Sequence, residues 1–160
     1  MRELRVLNRQ KSRKVNAALL RRAARCLLKE TFRHEDYELG VHLIAAAEMA
    51  ELNETFLNHA GSTDVITFNH QETADENGLH GEIFISVDDA VAQGRKFGQT
   101  WQTEIARYLV HGLLHLEGHD DLAPAARRVM KREENKLVKQ LQRRFDLSLL
   151  DRAKHASKHR

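Results

Sequence analysis

Apolar and polar residues alternate along the 160-residue chain with two different periods, and each period predicts a different kind of element. Apolar residues at every second position favour strands, and apolar residues at every third or fourth position favour helices. The pattern predicts four strands, over residues 3–8, 37–46, 63–69 and 81–86. It predicts five helices, over residues 13–30, 47–58, 87–97, 103–117 and 123–144, of which the fourth could instead begin at Thr100. Together they predict a single α+β domain over residues 1–150.

Polar residues predict where several of these elements begin and end. Ser86 is placed to cap the helix that follows it, and Gly98 is placed to end that helix. Pro124 suits the first turn of the last helix, where its missing N–H costs little. The polar residues 70–80 predict a loop, whose flanking His70 and His80 we expect at the surface. The basic residues 151–160 predict a disordered tail.

The composition favours a soluble globular protein, with 41% hydrophobic and 31% charged residues. No apolar run approaches the roughly 18 residues of a membrane span, and residues 1–6 lack the apolar core of a signal peptide. The single cysteine, Cys26, cannot form an internal disulfide. We expect it to be a small buried hydrophobic residue, and a lone thiol fits a cytoplasmic protein.

The net charge is only +3, but basic residues crowd between positions 11 and 33. Within the predicted helix 13–30, Arg21, Arg25 and Lys29 recur every four residues and share one face. A basic face of this kind attracts phosphate backbones without reading sequence. The plainer interpretation is a solvated helix face.

The strongest chemical signal is a pair of histidines, His111 and His115, followed by Gly118. Histidines four apart on a helix differ by about 40° around its axis and about 6 Å along it, so both imidazoles can reach one metal ion. Gly118 tolerates a positive φ and can end the helix, which lets a third ligand arrive from another direction. The spacing therefore predicts a metal site rather than two unrelated histidines.

Three candidates can fill the third position of that site. Asp121, three residues past Gly118, is the first choice. His119 could bind only if the chain bends at Gly118, since on an unbroken helix it would lie about 12 Å from His111 along the axis. Solvent alone is the third possibility. The glutamate that follows the first histidine of zinc proteases is absent, because Gly112 occupies that position.

The segment His111-Gly-x-Leu-His115-Leu-x-Gly118 resembles the signature of the YbeY family of bacterial endoribonucleases. Two earlier blocks also resemble the family: one runs from Leu52-Asn53 through Ser62-Thr63-Asp64-Val65-Ile66-Thr67-Phe68, and the other is Gly81-Glu82-Ile83-Phe84-Ile85-Ser86. The resemblance extends from about residue 3 to residue 145. It implies a small mixed β-sheet with helices packed around it and a zinc site in a cleft.

Four positions depart from the family's usual residues. Asp121 stands where the third ligand is usually His, and His119 stands where Tyr is usual. Leu57 replaces an Arg thought to act in RNA cleavage, and Ser62 replaces a Pro. Carboxylate oxygen is an acceptable zinc ligand, so Asp121 leaves the metal prediction in place.

The resemblance implies an endoribonuclease with one Zn²⁺ per chain that cleaves single-stranded RNA. It implies action in rRNA maturation, at the 16S 3′ end, and in ribosome quality control, with rRNA and the small ribosomal subunit as partners and with no membrane or DNA partner. His119 and Asp120 are the candidate catalytic residues, and His111, His115 and Asp121 the candidate ligands. We expect RNA contact outside the cleft at Arg21, Arg25 and Lys29, and we expect Asp64 to stabilise a turn.

Two other functions fit the same residues. One is a zinc hydrolase of peptides or small molecules, which Gly112 in place of the protease Glu disfavours. The other is a non-catalytic ribosome-binding factor with a structural zinc, which Leu57 favours. Structural zinc usually has four protein ligands, and only three convincing ones are present.

Overall fold

A computed structural model describes residues 2–59, 61–71 and 78–155 of the chain. The strands are β1 (Arg2–Asn8), β2 (Tyr37–Ile44), β3 (Val65–Asn69) and β4 (Leu79–Ser86). The longer helices are α1 (Ala17–Cys26), α2 (Ala46–Leu57), α3 (Val87–Phe97), α4 (Trp101–Leu116) and α5 (Pro124–Arg144). A π-helical turn (Leu27–Thr31), a 3₁₀ turn (Leu147–Leu150) and the short helix α6 (Arg152–His155) complete the described elements.

The strands form one mixed sheet in the order β1-β2-β4-β3. β1 and β4 both run parallel to β2, whereas β3 runs antiparallel to β4. β2 lies in the interior of the sheet, and its residues from Leu39 to Ile44 are all buried. The near-continuous apolar run in β2 is typical of a strand covered on both faces. The prediction of an α+β fold with a four-stranded mixed sheet is confirmed.

The larger core lies between the sheet and α4, with α1 and α5 closing its sides. Ile105, Leu109 and Leu113 of α4 are fully buried there. A smaller cluster around Ile44, Met49 and Ile66 packs α2 against the opposite face. Most of α4 is buried, and this packing fixes the rotation of the helix about its axis. The same rotation determines where the two histidines near its end point.

The helix predicted over residues 13–30 begins later, at Ala17, and its last turn, Leu27–Thr31, is π-helical. Asn16 caps α1, because its side-chain oxygen accepts a hydrogen bond from the backbone N–H of Leu19 at 3.1 Å. Val15 instead forms a β-bridge with Asp151, and the carbonyl of Lys14 accepts from the N–H of Arg152 at 2.9 Å. Pairing with a distant segment therefore overrides the local helical pattern before Asn16.

The same contacts give regular structure to residues 151–155, the first half of the segment predicted to be a disordered tail. Asp151 pairs with Val15, and Arg152–His155 form a short helix. Residues 156–160, the rest of the predicted tail, lie outside the described residues. The loop predicted over 70–80 is shorter, because β4 begins at Leu79 and the N–H of His70 donates to the carbonyl of His80 at 2.8 Å. Residues 72–77 of that loop also lie outside the described part.

Several smaller predictions are confirmed. Ser86 caps α3 by accepting from the N–H of Asp89 at 3.2 Å, and Gly98 ends that helix with φ +68°. Cys26 is buried and free.

Within the described ranges, no helix combines the length and apolar character needed to cross a bilayer.

Candidate metal centre

The histidine pair lies on the last turns of α4, which ends at Leu116 two residues before Gly118. Gly118 has φ +103°, a conformation that side chains other than glycine rarely adopt. Its N–H donates to the carbonyl of His115 at 3.0 Å, and the N–H of His119 donates to the carbonyl of Leu114 at 3.0 Å. The chain therefore reverses within one turn and carries Asp121 back to the face that bears both imidazoles.

Three ligand atoms converge at this point. Nε2 of His111 lies 3.2 Å from Nε2 of His115. Oδ2 of Asp121 lies 3.6 Å from the first nitrogen and 3.8 Å from the second. Ligand atoms of a tetrahedral zinc with bonds of about 2.0–2.1 Å stand about 3.3–3.4 Å apart, so the triangle is close to the required size. Among the described residues, these three form the only His, Cys, Asp or Glu group able to hold a metal ion.

Both histidines present the correct nitrogen to this triangle. Nδ1 of His115 lies 3.1 Å from the carbonyl oxygen of His119, which can only accept, so Nδ1 carries the proton. Nδ1 of His111 donates to Oε1 of Glu134 at 2.8 Å. Each Nε2 is left with a free lone pair directed at the other ligands. A ligating histidine whose other N–H bonds a carbonyl or a carboxylate is the usual arrangement at metal sites.

Glu134 on α5 is buried beneath His111, and sequence reasoning missed it. Burial alone would raise its pKa, but hydrogen bonds from His111 and from Arg107 outweigh burial and lower the pKa to about 2. Nη1 of Arg107 donates to Oε2 of Glu134 at 2.6 Å, and Nζ of Lys131 donates to the same oxygen at 3.2 Å. The carboxylate is therefore ionised and fully paired, which explains how a charge is tolerated in this position.

The sequence did contain a signal for Glu134. The buried residues of α5 follow the helical repeat, and a glutamate stands within that stripe where an apolar residue is expected: Met130, Glu134, Leu137, Val138 and Leu141. A charged residue on the buried side of an amphipathic helix points to a buried partner. The spacing alone could not name His111 as that partner.

The electrostatics of the cluster keep His115 neutral. Burial lowers the pKa of its imidazole, and the neighbouring His111 lowers it further. Neutral imidazole is the form that binds metal, so the unprotonated state is already favoured before an ion arrives. The two imidazoles and one carboxylate form a donor set that suits zinc, although imidazole and carboxylate also accept other divalent ions.

Three residues that lie close to the ligands in the sequence, His119, Asp120 and Glu117, take different positions. The backbone carbonyl of His119 contacts His115, but its side chain is not a member of the ligand cluster. Asp120 is exposed, and its Oδ1 accepts from the N–H of Leu122 at 3.1 Å, which stabilises the returning turn. The carboxylate of Glu117, at the end of α4, lies 2.5 Å from Nε2 of His34.

A cavity of about 530 Å³ adjoins the cluster on the Glu134 side of His111. Its lining includes Asp64, Glu104, Arg107 and Tyr108. As expected, Asp64 stabilises the entry to β3, because its Oδ1 accepts from the N–H of Val65 at 2.8 Å. Glu104 is buried, and burial raises the pKa of its carboxyl group. A substrate group entering here would meet His111 and Arg107 together.

The predicted RNA-contact face on α1 is separate from this cavity. Nε of Arg21 donates to the carbonyl of Leu4 at 3.1 Å, which ties that side chain to β1. Arg25 and Lys29 line a different shallow cavity of about 390 Å³ beside Arg144, and His111 does not line it. Their role in binding RNA stays a prediction.

Two of the positions that depart from the family pattern lie on or after α2. Leu57 is 43% exposed at the end of that helix, next to Phe56 at 61%. The hydroxyl of Ser62 bonds the carboxylate of Asp89. Neither Leu57 nor Ser62 lines the cavity beside His111, whereas Arg107, which sequence reasoning also missed, does.

Comparison with known proteins shows the family to which the chain belongs. The sequence profile of the family described as Endoribonuclease YbeY matches residues 5–142. The chain belongs to the YbeY family. An Endoribonuclease YbeY from Chlorobaculum parvum is 38% identical over 108 residues, which cover 68% of this chain and 66% of that protein. One from Salinibacter ruber is 36% identical over 93 residues, covering 54% and 59% respectively.

The fold also resembles a solved structure. A solution structure from Thermotoga maritima matches with a TM-score of 0.62 at 27% identity, covering 86% of this chain and 88% of that one. The aligned part of this YbeY chain spans less than two thirds of the length of the Chlorobaculum and Salinibacter relatives.

Proposed function

We propose that the protein is a zinc-dependent endoribonuclease that cleaves single-stranded RNA. The observation that carries this proposal is the triangle formed by Nε2 of His111, Nε2 of His115 and Oδ2 of Asp121. Three protein ligands leave a fourth position of a tetrahedral ion open to substrate, as catalytic sites require. The name Endoribonuclease YbeY, carried by the relatives, supports RNA as the substrate.

In this proposal, different residues of the chain orient the metal ligands and transfer the proton. A zinc ion held by His111, His115 and Asp121 would supply Lewis-acid chemistry toward a phosphoryl oxygen. Glu134 holds the His111 ring in orientation through the 2.8 Å hydrogen bond. His119, next to the cluster and free of a ligand role in this assignment, is the group to which we assign proton transfer. Asp120 is the alternative proton-transfer group.

Arg107 and Lys131 would stand in for the arginine that Leu57 replaces. Both line the cavity beside His111, and both already bond Glu134. A guanidinium and an ammonium at this edge can stabilise the charge that develops on phosphate oxygens during cleavage. The loss of a cation at position 57 is therefore compatible with nuclease chemistry.

The biological substrate we propose is rRNA in the small ribosomal subunit, with cleavage at the 16S 3′ end as part of maturation and quality control. The free, buried Cys26 suits a reducing cytoplasm. No membrane or DNA partner belongs to this proposal.

The alternative functions meet specific obstacles. A Cβ at position 112 would lie 2.8 Å from side-chain atoms of Ile83, so that position faces the sheet and cannot hold a protease-like base. A structural zinc in a ribosome-binding factor would call for a fourth protein ligand. Exposed Leu57 and Phe56 favour this second alternative, because they offer a docking surface in place of a catalytic arginine.

The experiment that tests the proposed function strips the protein of metal and reloads it. Protein treated with chelator is given Zn²⁺, Mn²⁺ or Mg²⁺ and incubated with single-stranded RNA, the matching duplex or a peptide. We expect cutting of single-stranded RNA, with Zn²⁺ restoring the activity. Restoration by Mg²⁺ alone would contradict the zinc assignment, and cleavage of the peptide but not of RNA would contradict the nuclease assignment.

A further inference from the structure

Most of the basic residues of α5 lie in one row along its solvent-exposed face. Eight of the 26 basic residues of the chain lie on this helix, against two of the 23 acidic residues. Six of the eight form what we call the α5 basic stripe: Arg128, Lys131, Arg132, Lys136, Lys139 and Arg143. All six are exposed. A net charge of only +3 for the whole chain makes this a local concentration rather than a general property.

The stripe is continuous along the helix. At about 100° per residue, its six members fall within an arc of about 140° and extend for about 22 Å from Arg128 to Arg143. The two acidic residues of α5 lie outside that arc: Glu133 at its flank and Glu134 on the buried side. The apolar residues Leu137 and Leu141 occupy the opposite side of the helix. The helix therefore presents a mainly positive surface to solvent, with no acidic residue inside the arc.

Most of this charge is not neutralised within the protein. Lys131 bonds Glu134 at 3.2 Å, and Lys136 lies 4.0 Å from Glu133. In the part of the chain that the structure describes, the other four stripe residues form no ion pair. A row of cations held on a rigid helix is the arrangement that attracts a phosphate backbone.

The stripe leads directly to the metal centre. Its side chains line a shallow cavity of about 630 Å³ together with Asn135. Lys131 and Asn135 also line the cavity beside His111. Glu134, one residue before Asn135, bonds His111. A strand lying on the stripe would pass the metal centre without a break in the surface.

We propose that the α5 basic stripe is the track on which the backbone of the single-stranded RNA substrate lies as it passes the metal centre. The inference rests on the proposed function, and it adds where the RNA lies and that the contact does not depend on RNA sequence. Contacts to phosphates alone position a strand without reading its sequence. A length of about 22 Å suits a short single-strand site near the lower end of the usual range, about 4 nucleotides.

The competing surface is the α1 face that carries Arg21, Arg25 and Lys29. Its cavity is not shared with His111, and Arg144 beside it pairs with Glu30 at 3.1 Å. RNA held on that face would not be delivered to the metal centre by a continuous surface. The two faces therefore give a direct comparison within one protein.

The test measures binding rather than cleavage. The stripe variant combines Arg128→Gln, Arg132→Gln, Lys136→Gln and Lys139→Gln, which keeps Lys131 and retains good helix formers. The matched α1 variant combines Arg21→Gln, Arg22→Gln, Arg25→Gln and Lys29→Gln. Fluorescence anisotropy with a labelled single-stranded 16-mer, 2′-O-methylated to resist cleavage, is recorded on each metal-loaded protein over a salt series. Thermal unfolding verifies that both variants fold, and a denaturing gel verifies that the RNA stays intact.

We expect the stripe variant to bind at least about tenfold more weakly at moderate salt. The slope of log K against log salt should become shallower by about 3, since each phosphate contact on a single strand contributes about 0.7. The same loss should appear for oligonucleotides of different sequence. Unchanged binding by the stripe variant, or a loss confined to the α1 variant, would overturn the proposal. Because the readout is binding, a protein that binds along α5 but cuts nothing would refute the proposed function and leave this inference standing.

Discussion

The Nδ1–H of His111 donates to Oε1 of Glu134 across 2.8 Å, and this bond joins α4 to α5 at the metal centre. Glu134 lies 23 residues from its partner in sequence, and its side chain is only 7% exposed. The bond fixes which imidazole nitrogen faces the ligand triangle, so the orientation of His111 depends on a residue that does not itself bind metal.

Replacing Glu134 with Gln should weaken metal binding without removing a ligand. The amide is similar in size but lacks the charge that supports the His111 N–H, and losses of about 10–100-fold in metal affinity are usual for such changes. A competition titration with a zinc-binding dye measures the affinity. Glu133→Gln is the matched control, since Glu133 pairs with Lys136 at the surface and is not a member of the ligand cluster in the described residues. Equal affinities for the two variants would show that the hydrogen bond does not support the site.

The third ligand can be identified by comparing two neighbouring residues. Asp121→Ala should lower the metal content of the purified protein, because it removes one corner of the triangle. His119→Gln should leave the metal content unchanged and lower the turnover of RNA, as expected of a proton-transfer group. Metal content is measured by plasma mass spectrometry on both variants. Loss of metal from His119→Gln with retention in Asp121→Ala would reverse the assignment.

The ligands of the metal site could be predicted from the sequence, whereas the residues that support them could not. His111, His115, Gly118 and Asp121 lie within eleven positions, so local helix geometry and one glycine suffice to bring them together. Glu134 and Lys131 join the site only because α5 packs against α4, and no local pattern encodes that packing. Arg107 lies on α4 one turn before His111, but only Glu134 reveals its role. The same reason explains the late start of α1, where Val15 pairs with the distant Asp151. Element types follow from periodicity, whereas long-range pairing follows from tertiary contacts.

Gly112→Ala should destabilise the fold although alanine is the better helix former. The added Cβ would lie 2.8 Å from side-chain atoms of Ile83 on β4, so α4 or that side chain must shift. Overpacking of this kind costs about 1–3 kcal/mol in the free energy of unfolding. Urea titration of the variant measures the cost.

Ile83→Val provides the internal control for that prediction. Trimming the crowded side chain should cost less in the Gly112→Ala background than in the wild type, because the added methyl group occupies part of the vacated space. Strict additivity of the two changes in a double-mutant cycle would show that the glycine is required for another reason.

Tyr108→Phe should leave stability unchanged or raise it. The Tyr108 hydroxyl is the one buried side-chain polar atom in the described residues that meets no hydrogen-bond geometry, although burial and the nearby carboxyl group of Glu104 raise its pKa. An unpaired buried hydroxyl carries a desolvation cost of about 1–3 kcal/mol, and phenylalanine removes it while keeping the ring. Differential scanning calorimetry compares the two proteins. A clear fall in Tm would mean that the hydroxyl has a partner, such as an ordered water, that matters for folding.

The central claim is that the His111, His115 and Asp121 cluster makes the protein a metal-dependent nuclease. The most direct test compares wild type with His115→Ala, purified side by side and incubated with single-stranded RNA that carries an rRNA 3′ end. Each is assayed with chelator and after metal is returned. We predict that only the metal-loaded wild type cuts the RNA. Equal cutting by both proteins, or no cutting by the metal-loaded wild type, would contradict the account.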